Sequence, residues 1–231
     1  MNNFDVILFD FDDTLWARKT DNDSLAISVE NICLLNRLAK NVNCAIISGN
    51  TYDVIRKKLF MAIDYCDFNF DIWADANSTL YKYDEKCAFI NDFSIDTCKE
   101  TIFNFLNKYN LKYQTYGYPD VVNVKIKPLN DLERNLLVDL FNLYKRQVGI
   151  RALAYKTGTT TVDILSTKNR KDKLLETEYF KNFSAKKSLY VGDECYNGND
   201  KDICKKCSEY INVQDVKETN TLLKLLLGEQ V

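Results

Sequence analysis

Residues 5–16 read DVILFDFDDTLW. The apolar run VILFD at 6–10 ends in acid, with Asp10, Asp12 and Asp13 within one turn of chain. The run is apolar at successive positions, as a parallel strand buried on both faces is. Three like charges at the mouth of such a strand repel one another and lose solvation. A fold tolerates that where a positive partner, or a use for the charge, is present.

The chain has 231 residues, enough for one large domain or a core with a smaller insertion. Apolar residues make up 46% and charged residues 28%, the balance of a globular chain with a real core. A net charge of -2 offers no general attraction to nucleic acid or an anionic membrane. No apolar run approaches the roughly 20 residues of a membrane helix. MNNFDVILFD carries neither a basic segment nor a signal-peptide core, so the expected location is cytoplasmic. The 8 cysteines then read as reduced thiols; Cys204 and Cys207 form a lone CxxC, where a zinc site would want two more ligands, and read as two cysteines on a helix. With no histidine in the chain, every Ser-His or Cys-His nucleophile pair is excluded. Acid–base chemistry near neutral pH falls to carboxylates, Lys, Tyr or Cys.

Strand-like and helix-like runs alternate. After VILFD comes a helical pattern at 24–40, with Asp23 or Ser24 as a candidate cap. CAIIS (44–48) reads as a strand, 51–63 as a helix and FDIWADA (70–76) as a strand. SLYVGD (188–193) and SEYINV (208–213) read as later strands, and 219–230 as a closing helix. This predicts an α/β fold, a doubly wound parallel sheet of Rossmann-like type covered on both faces. Residues 79–165 differ, with short strands, two long helices and the turn KTGTT. They read as an inserted α+β cap domain with an antiparallel sheet, which leaves 1–78 and 166–231 as the core. Strand alternation puts Asn123, Lys125 and Lys127 on one face of the insert, either a substrate face or a wet one.

In open parallel sheets, ligands bind at the carboxyl ends of strands. Asp10, Ser48 and Asp193 end three of the expected strands and converge on one crevice. A hard divalent cation such as Mg²⁺ suits that crowding, because it is held by a few carboxylates with water and phosphate oxygens.

The motifs carry a resemblance. FDFDDTL resembles the DxDxT signature of the haloacid dehalogenase superfamily of phosphohydrolases and phosphotransferases. ISGNT (47–51) is similar to its second motif. VDILSTKNRKDKLLE (162–176) is similar to the third-motif segment of Cof-type members with a C2 cap, and this register puts Lys171 on the motif lysine. YVGDECYNGND (190–200) resembles the fourth motif. The resemblance implies a core of haloacid dehalogenase type and a C2-type cap between the second and third motifs.

It also implies roles. Asp10 would be the nucleophile that forms an aspartyl-phosphate. Asp12 would be the general acid, then the base. Ser48 would bind a phosphoryl oxygen, with Gly49 and Asn50 beside it at the substrate. Lys171 would neutralise Asp10 and the phosphoryl group; Lys168, Arg170 and Lys173 are its alternatives in the same basic stretch. Asp193 would hold Mg²⁺ with Asp10 and the main-chain carbonyl of Asp12. Asp200 would be a ligand or a carboxylate behind one. Three departures stand out. Asp172 replaces a common glycine and is expected to face solvent. Ala76-Asn77 replaces Asn-Gly, and Asn tolerates the left-handed conformation that Gly would supply. The fourth motif is longer than usual and close to the phosphomannomutase form, with Glu194 as a further candidate for the metal site.

The expected activity is Mg²⁺-dependent hydrolysis of a small phosphorylated metabolite, a sugar or polyol phosphate. The alternatives are a phosphomannomutase-like phosphotransferase, a receiver-like signalling domain and a non-catalytic binding relative.

Overall fold

The structure, a computed structural model, describes residues 4–18, 21–63, 68–75, 77, 79–82, 85–89, 95–116, 123–127, 130–150, 152–157, 160–166, 170–181, 183, 187–196 and 198–229. In chain order the elements begin with β1 (Val6–Asp10), α1 (Asn22–Leu38), β2 (Asn43–Ile47), α2 (Tyr52–Leu59), β3 (Asp71–Ala74), β4 (Thr79–Lys82) and β5 (Glu85–Phe89). There follow α3 (Ile95–Lys108), β6 (Tyr113–Tyr116), β7 (Asn123–Ile126), α4 (Asp131–Val148), β8 (Ala152–Thr157) and β9 (Thr161–Ser166). A 3₁₀ segment, Lys171–Glu176, precedes α5 (Glu178–Lys181), β10 (Ser188–Gly192), α6 (Lys201–Cys204), β11 (Glu209–Asn212) and α7 (Val216–Leu226).

The chain divides into two units, Met1–Ala88 with Lys171–Val231, and Phe89–Arg170. The first is built on a seven-stranded sheet in the order β11-β10-β1-β2-β3-β4-β5. It is parallel from β11 to β3, and β4 joins antiparallel to β3. From β1 the chain proceeds to one side through β2 and β3, then returns to the other side as β10 and β11. The strand order therefore reverses beside β1, where open α/β sheets place their ligands. β1 is buried along its whole length, which explains its unbroken apolar run. Ile7 and Phe9 pack with Ile32 and Leu35 of α1, Ile55 and Leu59 of α2, and Leu223 of α7.

Two helices begin earlier than their apolar patterns suggest. The cap of α1 is Asp21, whose side chain accepts from the Ser24 N–H at 2.7 Å, in place of the expected Asp23 or Ser24. For α7 the cap is Asp215, which accepts from Lys217 and Glu218. An extended residue with a short acid claims the first free N–H groups, so the helix starts at the cap and not at the first apolar residue.

The strands at 79–82 and 85–89, read from sequence as part of the insert, extend the seven-stranded sheet of the first unit. The second unit carries an antiparallel sheet in the order β6-β7-β9-β8. Ile102, Phe105 and Leu106 of α3 and Leu137 and Phe141 of α4 share its core with Val124, Ile126, Val162 and Ile164. Asn130 and Glu133 cap α4 reciprocally, and Gly149 closes it at φ 76°. With Val124 and Ile126 in that core, Lys125 takes the opposite face, paired in register with Gln114 and Asp163. Gly158 and Thr159 of the expected KTGTT turn lie outside the described residues. Cys33, Cys44, Cys195, Cys204 and Cys207 are free thiols. Among the described residues no helix is long and apolar enough to cross a membrane.

Candidate active site

The carboxyl ends of β10, β1 and β2 lie side by side because the three strands are parallel neighbours. Asp10 closes β1, Ser48 follows β2, and Asp193 follows β10. Lys171 stands at the start of the 3₁₀ segment and is buried. Its Nζ donates to Asp10 Oδ1 at 2.6 Å and to Asp200 Oδ1 at 2.5 Å. Tyr190 Oη, on β10, donates to the same Asp200 oxygen at 2.7 Å. Of the basic stretch, Lys171 is the cation that meets Asp10; Lys173 pairs with Glu176 instead. Lys168 lies outside the described residues.

Asp10, Asp193 and Asp200 each offer an oxygen, and these oxygens lie within 4.8 Å of one another. Burial raises the Asp10 carboxyl well above its ordinary range; Lys171 opposes the rise, and Asp200 and Asp193 add to it. Burial, then Asp200 and Glu194, push Asp193 up to about 6. Burial also disfavours charge on Lys171, but Asp10 and Asp200 outweigh it and hold the ammonium protonated. Three carboxylates thus face one ammonium, and the excess negative charge is what a divalent cation relieves. The all-oxygen donor set suits a hard ion such as Mg²⁺.

Gly192 has a clear reason in this packing. A Cβ there would collide with the Asp200 carboxylate and approach the Tyr190 ring at 2.7 Å. The Gly192-Asp193 pair therefore lets Asp200 close on the strand end.

Asp12 faces elsewhere. Its Oδ2 accepts from Asn50 Nδ2 at 2.5 Å and its Oδ1 from Lys58 Nζ at 3.2 Å. Its carboxylate is not part of the trio; the metal contact expected of Asp12 concerned its main-chain carbonyl. Ser48 is buried, and its Oγ accepts from the Asn50 N–H at 3.1 Å. Gly49 is exposed, with open space where a Cβ would stand. Asn50 thus spends its amide on Asp12. Asp13 adopts φ 59° and binds Arg18 through its side chain, as a residue that turns the chain.

Two departures resolve differently. Asp172 does not face solvent: it is buried and paired with Lys206 at 3.0 Å, a cation that neutralises it. Glu194 turns back on its own loop, where Oε2 accepts from the Asn199 N–H at 3.2 Å, so it does not join the trio. Asn77 adopts φ 61°, the left-handed conformation; Ala76 lies outside the described residues. Sequence reasoning missed Lys58 and Tyr190. Tyr190 looked like one more apolar strand residue, and Lys58 is one of three successive basic residues on α2, Arg56 to Lys58.

No protein-family model matches the sequence, and no curated protein matches it. Solved structures do. IMP-nucleotidase of Plasmodium falciparum superposes with a TM-score of 0.70 at 18% identity, over 99% of this chain and 62% of its own. The chain therefore spans less than two thirds of that enzyme's length. A trehalose-6-phosphate phosphatase related protein gives a TM-score of 0.60 at 13% identity, over 96% of this chain and 98% of its own. The haloacid dehalogenase-like hydrolase protein yhjK from Bacillus subtilis gives 0.58 at 13%, over 97% and 92%. The chain has the haloacid dehalogenase-like fold.

Proposed function

We propose that the protein is a divalent-metal-dependent phosphomonoester hydrolase that works through an aspartyl-phosphate on Asp10. The observation that carries this reading is the pair Asp10 and Asp12. One is buried against Lys171 among carboxylates, and the other, two residues on, is held apart by Asn50 and Lys58. Phosphoryl transfer needs charge neutralisation and in-line placement above all. Asp10, Asp193 and Asp200 would hold the cation, Mg²⁺ in this reading, which neutralises charge on the phosphoryl oxygens when bound. Lys171 adds a fixed positive charge from the protein.

In the first step an Asp10 oxygen bonds to phosphorus as the ester P–O bond breaks. Asp12 gives its proton to the departing oxygen. In the second, Asp12 takes a proton from a water whose oxygen attacks the same phosphorus. The P–O bond to Asp10 breaks and inorganic phosphate leaves. Ser48, which follows β2, would bind a phosphoryl oxygen.

The substrate we infer is a small phosphorylated metabolite, a sugar or polyol phosphate. The likeness to a trehalose-6-phosphate phosphatase related protein supports that class, and the likeness to IMP-nucleotidase makes nucleoside monophosphates its nearest competitor. The test is phosphate release from sugar, polyol and nucleoside monophosphates, with Mg²⁺ and with EDTA. Release of phosphate that stops in EDTA is the expected result. A folded protein that releases none from any of them overturns the reading.

A further inference from the structure

We propose that Lys58 is a positioning residue that, together with Asn50, aims the carboxyl of Asp12 at the leaving-group oxygen; this rests on the phosphohydrolase reading above. The carboxyl of Asp12 makes no contact with the trio; its partners lie on the other side. What holds it is a clamp from α2 and the segment between β2 and α2. Asn50 Nδ2 takes one oxygen at 2.5 Å and Lys58 Nζ takes the other at 3.2 Å. With a donor on each oxygen, rotation of the carboxyl about its own axis is stopped, and its remaining lone-pair or proton position points in a set direction.

The clamp is itself braced. The Lys58 ammonium lies 5.1 Å from the centre of the Phe11 ring and 5.9 Å from that of Trp16. Those rings are buried and stacked on each other, with centroids 6.3 Å apart. Both belong to the loop that carries Asp12: Trp16 N–H donates to the Phe11 carbonyl at 2.8 Å, and Asp13 N–H donates to the Trp16 carbonyl at 2.8 Å. A cation held over two aromatic faces loses freedom that an ordinary surface lysine keeps. α2 fixes the other end of the side chain, because Ile55 and Leu59 anchor the helix in the core on either side of Lys58. Arg56, two residues earlier, lies over Phe60 instead. Lys58 and Asp12 keep 26% and 20% of their side chains open to water. The clamped carboxyl therefore remains within reach of an incoming ester.

A clamp of this kind matters where a proton must be delivered and matters little where it need not be. An alkyl phosphate expels a basic oxygen that needs the proton, whereas an activated aryl phosphate expels a stable anion that does not. The test is kcat/KM for one alkyl and one nitrophenyl phosphate, in wild type, Lys58→Met, Lys58→Arg, Asp12→Asn and the Lys58→Met/Asp12→Asn double variant. Lys58→Met is expected to lose about 100-fold on the alkyl ester, the scale of one acid's contribution, and only a few-fold on the aryl ester. Lys58→Arg should restore most of the loss. In the Asp12→Asn background Lys58→Met should add nothing, since two residues acting as a unit are not additive. The unfolding midpoint of Lys58→Met should stay near that of wild type. Equal losses on both esters, a rise in KM alone, or full additivity with Asp12→Asn overturns the inference while leaving the hydrolase reading intact. Wild-type protein that turns over neither ester overturns the hydrolase reading, and this inference falls with it.

Discussion

Asp10 and Asp12 are two residues apart on one strand end, and their surroundings are opposite. Asp10 faces the β10 side, buried among Asp193, Asp200 and Lys171. Asp12 faces the β2 side, part-exposed, between an amide and a lysine that sits on aromatic rings. The first surroundings suit a group that must be neutralised from several sides while it makes a bond to phosphorus. The second suit a group that must be reached by water and by a leaving oxygen. One fold can run two carboxylates in two roles when their environments are pulled apart in this way.

Two substitutions break the comparison most sharply. Asp10→Asn removes the bond-forming oxygen, and turnover should fall by about 10⁴ or more, while the fold survives. Phosphate release from the preferred ester reads the loss; unchanged turnover would remove Asp10 from the nucleophile's role. Asp12→Asn leaves the first site whole and takes away the proton donor and acceptor. Turnover should fall by about 10² to 10⁴. With an activated aryl ester, Asp10 should accumulate a phosphoryl group, seen as added mass after acid quench. If no such mass accumulates with any ester, covalent catalysis at Asp10 is refuted.

The β1 side of this picture was readable from residue order alone. A continuous apolar run ending in Asp10, a second strand ending at Ser48 and a third ending in Gly192-Asp193 define a parallel sheet and its mouth without any side-chain detail. The Asp12 side was not. Strand ends converge by topology, but Lys58 reaches Asp12 across 46 residues from the last turn of a helix. The run Arg56-Lys57-Lys58 gives no local sign of which cation turns inward. Asp172 misled for a related reason: its neutralising partner, Lys206, is 34 residues away. β4 and β5 misled because short strands added at the edge of a parallel sheet look, in sequence, like the start of an antiparallel insert.

Lys171→Met tests how far the β10 side depends on its buried ammonium. It leaves Asp10 and Asp200 buried without a counter-charge, and removing one partner of a buried pair costs about 3–5 kcal/mol. Denaturant unfolding in EDTA should show that loss, and Mg²⁺ should recover part of it, since the cation addresses the same carboxylates. The Asp12 side predicts the reverse. Lys58 and Asp12 are partly open to water, so Lys58→Met should leave stability within about 1 kcal/mol of wild type. Similar losses for the two lysines would erase the distinction between the two sides.

The smallest effect concerns Asp193. Its carboxyl is pushed up to about 6 from an ordinary value near 3.8, chiefly by burial and then by Asp200 and Glu194. A raised folded value means that the folded protein prefers the neutral acid. This contribution to stability is complete below about 3.8 and is lost as pH rises through about 6. In metal-free protein, other carboxylates titrate in the same range; Glu176, held down to about 2 by Lys173 and Lys206, contributes in the opposite direction. The measurement is therefore a difference. Unfolding midpoints of wild type and Asp193→Asn are followed in EDTA across that interval. Wild type should lose ground to the variant as pH rises, and Mg²⁺ should reverse the trend by binding the ionised form. Parallel curves would mean that Asp193 titrates as an ordinary surface acid. The crowding of carboxylates at the end of β10 would then carry no electrostatic strain for a cation to relieve.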